Sequence, residues 1–264
     1  MKTKFLSFSL IAAILTLNGC SDTGTSAPKA PQLVLERNRF SETGIINLKF
    51  LLKSPDGSYV FDEGLEVIHT KKVHLVVVKN DLSTFQHLHP EHGDQFWTSQ
   101  FTLKDPGLYQ VYANYQIKDR EEQVAINEIS VGNFDSTISY PALTPEQKVT
   151  RDDISAVLSL NAENPNHLTI ELSKAGKPLT NLEAYMGAAA HLIIFKHDKP
   201  ELFLHAHAEG IEAAQDGKLD FMTNFAEAGT YTGYLQFMSQ NILYTLPITF
   251  SVNTIGQAEV HMSH

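Results

Sequence analysis

The chain has 264 residues, with 30 acidic against 20 basic side chains, a formal charge of −10, 12 histidines and one cysteine. That acidic balance argues against nucleic acid or anionic lipid as a partner and leaves cations open. A single cysteine excludes an intrachain disulfide, so burial must hold the fold together.

In chain order, MKTKFLSFSLIAAILTLNGC comes first, with Lys2 and Lys4 ahead of an apolar run from Phe5 to Leu17. This is the layout of a secretory signal whose apolar core is too short for a stable membrane span. Gly19 before Cys20 resembles the lipobox of bacterial lipoproteins, which implies cleavage before Cys20 and lipid on its sulfur. Loss of residues 1–19 would leave 18 basic and 30 acidic side chains and a charge of −12. The next segment, SDTGTSAPKAPQ, is small and polar and reads as a tether.

From Leu33 the pattern is short β-type runs: LVLERNRF, INLKFLL, VHLVVV, FWTSQFTL, YQVYANYQI and VAINEISV. Turn signals lie between them, in SPDGS, KNDLS, PEHGD, KDPG and KDREE. FDSTISYPALTPEQ reads as a linker, in which Thr144 and Pro145 suit the cap and first position of one helical turn. Strand patterns then resume through ISAVLSL, HLTIEL, HLIIF, LFLHAH, KLDFMTNF, TYTGYLQF and LYTLPITFSV.

The halves align as a tandem repeat. His74 matches His191, and His87 and His89 match His205 and His207. DPGLYQVYANY matches EAGTYTGYLQF, so that Gly107, Tyr109 and Tyr112 fall on Gly229, Tyr231 and Tyr234. SPDGSYV and SKAGKPL correspond as hairpin turns. The expected fold is all-β, two tandem antiparallel β-sandwiches of immunoglobulin-like or cupredoxin-like type. The organisation reads as signal peptide 1–19, tether 20–32, first sandwich 33–133, linker 134–149, second sandwich 150–253 and a flexible tail 254–264.

Residues two apart on a strand share a face, so His87 and His89 point the same way, and His74 joins them if it lies opposite either. Three imidazoles then converge at distances suited to Zn or Cu. In the repeat, the turn around His197 can set His191 opposite His205, and a bulge would absorb the one extra residue. Five residues before each lead histidine stand His69 and Met186, and Gln116 matches Met238. With these as further ligands, the second site would be the softer one and favour Cu(I), the first all-nitrogen and suited to Cu(II) or Zn(II). Single histidines also serve as packed structural residues, and methionines as core filler. His92, His167 and His197 read as surface loop residues, and His261-Met262-Ser263-His264 as a polar end.

With HLVVV, NDLSTF, HLHP and DPGLY in the first half and YMGAAAHLIIF leading to LHAH in the second, residues 40–250 resemble a family of secreted bacterial proteins with one or two small β-domains. That resemblance implies an extracytoplasmic β-sandwich that handles heavy metals, copper above all. LHAHAEG departs from it by lacking the proline that follows His89.

The expected function is a lipid-anchored, extracytoplasmic metal-binding protein, a buffer, carrier or sensor with copper as the ion and zinc as the alternative. If the bacterium has an outer membrane, Ser21 points to anchoring there. A blue-copper carrier would need a thiolate, and the anchor consumes the one cysteine. The second reading is a tandem immunoglobulin-like module displayed on the membrane for a protein partner in the envelope. Catalysis is not expected, because no G-x-S-x-G, H-E-x-x-H, phosphate loop or dinucleotide fingerprint occurs.

Overall fold

The structure is a computed structural model describing residues 30–253 except 136, 209, 212, 213 and 215. The signal sequence, Cys20 and His261–His264 lie outside the described residues. Apolar alternation drives the strands. In Gly44–Lys53, for example, Ile46, Leu48, Phe50 and Leu52 point inward while the residues between them face outward.

The first sandwich holds β1 (Gln32–Leu35), β2 (Arg39–Phe40), β3 (Gly44–Lys53), β4 (Tyr59–Val60), β5 (Val73–Lys79), β6 (Phe85–Leu88), β7 (Glu91–His92), β8 (Trp97–Leu103), β9 (Gly107–Gln116) and β10 (Glu122–Val131). One layer runs β1-β3-β8-β7 with β4 on β3, and the other runs β6-β5-β9-β10 with β2 on β10. β1 joins the layers by pairing antiparallel with β3 and parallel with β10.

The second sandwich holds β11 (Lys148–Arg151), β12 (Ile154–Leu160), β13 (His167–Lys174), β14 (Lys177–Pro178), β15 (Leu182–Glu183), β16 (Ala190–Lys196), β17 (Lys199–His207), β18 (Lys218–Met222), β19 (Gly229–Ser239) and β20 (Ile242–Val252). Its layers are β11-β12-β13-β14 with β18 on β13, and β15-β19-β16-β17 with β20 on β19. The expected hairpins form, SPDGSYV between β3 and β4 and SKAGKPL between β13 and β14.

Each sandwich has a tyrosine corner, in which Tyr109 Oη donates to Asp105 O at 2.6 Å and Tyr231 Oη to Glu227 O at 2.6 Å. This device marks immunoglobulin-like sandwiches and stands at matching places in the repeat. Two 3-10 turns, Asp62–Gly64 and Pro145–Gln147, are the helical pieces among the described residues. Thr144 precedes the second turn but does not cap it. Its Oγ1 accepts from Thr249 N–H at 2.8 Å, tying the connecting segment to β20. Among the described residues no helix is long and apolar enough to cross a membrane.

Each sandwich has its own core, the first around Phe50, Leu75 and Trp97 and the second around Ile170, Leu192 and Phe250. A third cluster joins them, built from Val76, Val78, Leu82 and Tyr112 of the first and Ile193, Phe195 and Tyr234 of the second. Phe85 stacks on Tyr234 with centroids 4.2 Å apart, and the repeat-equivalent pair Tyr112 and Phe203 stacks at 4.8 Å. The two sandwiches therefore pack face to face with approximate two-fold symmetry. β5 and β16 are buried on both faces, which is why VHLVVV and HLIIF run apolar without alternation.

Candidate metal centre

The face that meets the other domain carries His74, Val76 and Val78 on β5, Phe85 and His87 on β6, and Tyr112 and Asn114 on β9. This follows from the pairings Val76↔His87, Val78↔Phe85 and His74↔Asn114. In the second sandwich His191 pairs with His207 and with Gln236, and Ile193 pairs with His205. The expected register is thus corrected: His191 lies opposite His207, not His205. The register shift between Phe195 and Lys196 absorbs the extra residue.

One ring nitrogen from each of His74, His87 and His89 lies within 4.8 Å of the others, and the same holds for His191, His205 and His207. His74 and His191 are fully buried. Their hydrogen bonds fix which nitrogens are bare. His74 Nε2 sits 3.0 Å from Ile68 O, and since a carbonyl only accepts, the proton is on Nε2 and Nδ1 carries a lone pair. His191 Nε2 donates likewise to Tyr185 O at 3.0 Å.

The partner rings are fixed from the opposite domain. Asn114 Nδ2 donates to Gln123 O, which turns Oδ1 toward His205 Nδ1 at 3.0 Å. Gln236 Nε2 donates to Thr245 Oγ1 and presents Oε1 to His87 Nδ1 at 2.9 Å. His87 Nε2 and His205 Nε2 are then bare as well.

In neutral rings, His74 Nδ1 and His87 Nε2 thus face each other lone pair to lone pair at 3.1 Å, as do His191 Nδ1 and His205 Nε2. His89 Nε2 and His207 Nε2 are buried without a hydrogen-bond partner. Such a contact calls for a proton or a metal ion between the nitrogens. Two nitrogens each about 2.0–2.1 Å from one ion at a tetrahedral angle stand about 3.3 Å apart, close to what is found.

Protons are disfavoured here. Burial pushes the pKa of all six imidazoles down, to about 4 for His89 and His191 and about 2 for His207. For most of them neighbouring imidazoles add to the effect. A histidine depressed in the fold binds fewer protons than in the unfolded chain, so stability falls with falling pH. The metal-free protein should therefore hold its stability above about pH 6.5 and lose it toward pH 4, by up to about 1.4 kcal/mol per pH unit per imidazole. Urea unfolding across pH 4–8 checks this, and added metal should move the loss to lower pH.

The two triads adjoin. Ring centroids of His87 and His205 are 5.3 Å apart, those of His74 and His205 5.4 Å, and those of His74 and His191 6.4 Å. An open groove of about 810 Å³, lined by Lys49, Leu88, Glu91 and Gln100 among others, borders His89.

Of the candidate extra ligands, His69 is placed otherwise than its spacing suggested. His69 stacks on His207 of the other sandwich, centroids 3.4 Å apart, and its ring is 6.0 Å from that of His191. Its ring therefore stands beside the second triad. The cause is the turn between Ile68 and Lys71, which reaches across the interface and meets the equivalent turn from Tyr185 to Ala188. There Thr70 Oγ1 lies 3.9 Å from Met186 Sδ. Met238 pairs with Glu183 and Leu243, while Gln236 takes the place opposite His191.

Both turns need positive φ at their two central residues: 45° and 73° at His69 and Thr70, 52° and 80° at Met186 and Gly187. A β-branched residue is strained there. Thr70→Gly, which copies the second turn, should raise stability by about 0.5–1 kcal/mol in urea unfolding.

Three further histidines expected in loops have structural partners. His92 packs on Trp97 from β7, with ring centroids 4.8 Å apart. His167 starts β13 and lies 3.1 Å from Asp220. His197 stacks on Tyr140 at 4.6 Å and bonds Thr232 Oγ1. Sequence reasoning missed Asn114 and Gln236. The available signal was a polar side chain at one repeat position inside two otherwise apolar runs, YANY and YLQF.

The molecule is thus a pair of immunoglobulin-like sandwiches closed on two histidine triads that could each hold a metal ion. The chain belongs to the family described as Domain of unknown function (DUF8832), whose model matches residues 46–131 and 148–254. No curated protein matches it. Among solved structures it is similar to trypsin-activated alpha-2-macroglobulin from Escherichia coli, at 11% identity and TM-score 0.29, over 86% of this chain and 16% of that one. The Escherichia coli adhesin FdeC matches at 11% and 0.26, over 86% and 65%. A two-domain fibronectin type III segment of chicken tenascin matches at 10% and 0.24, over 85% and 99%. This chain therefore spans less than two thirds of the first two, and nothing about function carries over from them.

Proposed function

We propose that this protein binds two transition-metal ions, copper before zinc, one in each histidine triad. The observation that carries this reading is the pair of imidazole contacts with bare nitrogens facing at 3.1 Å in each domain. Six imidazoles with no carboxylate among them disfavour magnesium and calcium, which take oxygen ligands, and suit copper or zinc. Between these two, a nitrogen-only site ranks Cu(II) above Zn(II) in affinity.

Outside the cytoplasm, tethered by lipid on Cys20, such a protein serves as a metal buffer, carrier or sensor without chemistry of its own. The test is titration of residues 21–264, free of any affinity His-tag, with Cu(I), Cu(II) and Zn(II) against competing chelators. Two tight equivalents, lost when His87, His89, His205 and His207 become Ala while the fold persists, are expected. Weak binding unchanged in that variant would make the chamber a packing feature and favour the alternative, a tandem interaction module displayed on the membrane.

A further inference from the structure

We propose that the triads form one binuclear centre in which each sandwich supplies the amide that holds a ligand imidazole of the other in its metal-binding tautomer, Gln236 acting on His87 and Asn114 on His205. This rests on the metal-binding reading above and adds who depends on whom.

The register makes the crossing plain. Within its own sheet Asn114 lies beside His74, and Gln236 lies beside His191. Neither amide serves the lead histidine next to it. Asn114 Oδ1 reaches His205 at 3.0 Å, and Gln236 Oε1 reaches His87 at 2.9 Å. Both side chains are buried, at 2% and 4% exposure, and each is held from behind, Asn114 by Gln123 O and Gln236 by Thr245 Oγ1.

An amide oxygen against Nδ1 places the ring proton there and leaves Nε2 bare toward the triad. Turned the other way, the imidazole would present N–H where a metal needs a lone pair. Such outer partners set ring orientation and basicity in metal sites, and their loss typically costs 10–100-fold in affinity. Here they come from the other domain, so the first site is complete only when the second domain is docked, and the reverse holds too. Asn114 and Gln236 are positioning residues: they touch the ligands and not the ion.

The test isolates one triad and alters the opposite domain. In a variant with His191, His205 and His207 changed to Ala, the remaining Cu(I) equivalent belongs to His74, His87 and His89. Adding Gln236→Leu, which keeps the bulk and removes the acceptor, should weaken that equivalent about 10–100-fold. Gln236→Glu, which keeps an acceptor oxygen, should retain it. Asn114→Leu and Asn114→Asp, with the first triad removed instead, should behave in the same way toward the second.

If the triple variants do not fold, Gln236→Leu in the otherwise unaltered protein serves. One equivalent should then weaken while the other stays tight, with an altered ligand-field spectrum for Cu(II) at the weakened site. Equal affinity in the Leu and parent proteins, or equal loss in Leu and Glu, would overturn the inference while leaving two-site binding intact. Failure of the unaltered protein to bind any metal would overturn both.

Discussion

Changing His87 to Ala is expected to abolish tight binding at the first triad and leave the second occupied, giving one equivalent where the unaltered protein holds two. The ring is one of three donors, and its Nε2 lies 3.1 Å from His74 Nδ1. Its loss should therefore exceed the roughly 10–100-fold typical of an outer partner. Thermal unfolding gives an independent readout. An ion at a hundredfold excess over its dissociation constant stabilises the fold by about 2.7 kcal/mol per site. In a protein of this size that is about 5–10 °C. His87→Ala should keep one such increment, and His87→Ala with His205→Ala should keep none. A full thermal shift in the double variant would place the metal elsewhere.

Much of this centre was legible in the sequence because strand periodicity is strict. Two histidines two residues apart must share a face, and the repeat of HLVVV with HLHP as HLIIF with LHAH marked both triads. The tyrosine corners follow from the same alignment, since Tyr109 and Tyr231 stand two residues after Gly107 and Gly229. What the strand pattern did not convey is that the triads face one another. The cue was physical: a strand exposed on one face alternates, and Val73–Lys79 and Ala190–Lys196 do not. A second buried face on an end domain has to be covered by something, and here the cover is the other copy of the repeat.

The same omission misplaced His69. His69 stands five residues before His74, so counting along the chain assigns it to the first site. The tight turn that carries it instead crosses to His207. Counting within one domain cannot find groups that act across an interface, and Asn114 and Gln236 were missed for the same reason.

Phe195→Ala is expected to destabilise the protein by about 3–5 kcal/mol, as a large-to-small change at a fully buried ring. Phe195 is one of the rings that join the sandwiches, with its centroid 5.3 Å from Tyr112 and 6.4 Å from Phe85 of the first domain. Metal affinity should fall with it, by about tenfold, the low end of what displacing an outer partner costs. The comparison that gives this meaning is Phe50→Ala, which removes an equally buried ring from the core of the first sandwich alone. Its cost in urea unfolding should be similar, yet the folded variant should bind both ions as tightly as the parent. If the two variants bind metal equally well, the sandwiches hold their triads independently and the interface only brings them close. If only Phe195→Ala weakens binding, the packing between domains is part of the metal site, because the apolar contact and the crossed amides then depend on a single docked arrangement.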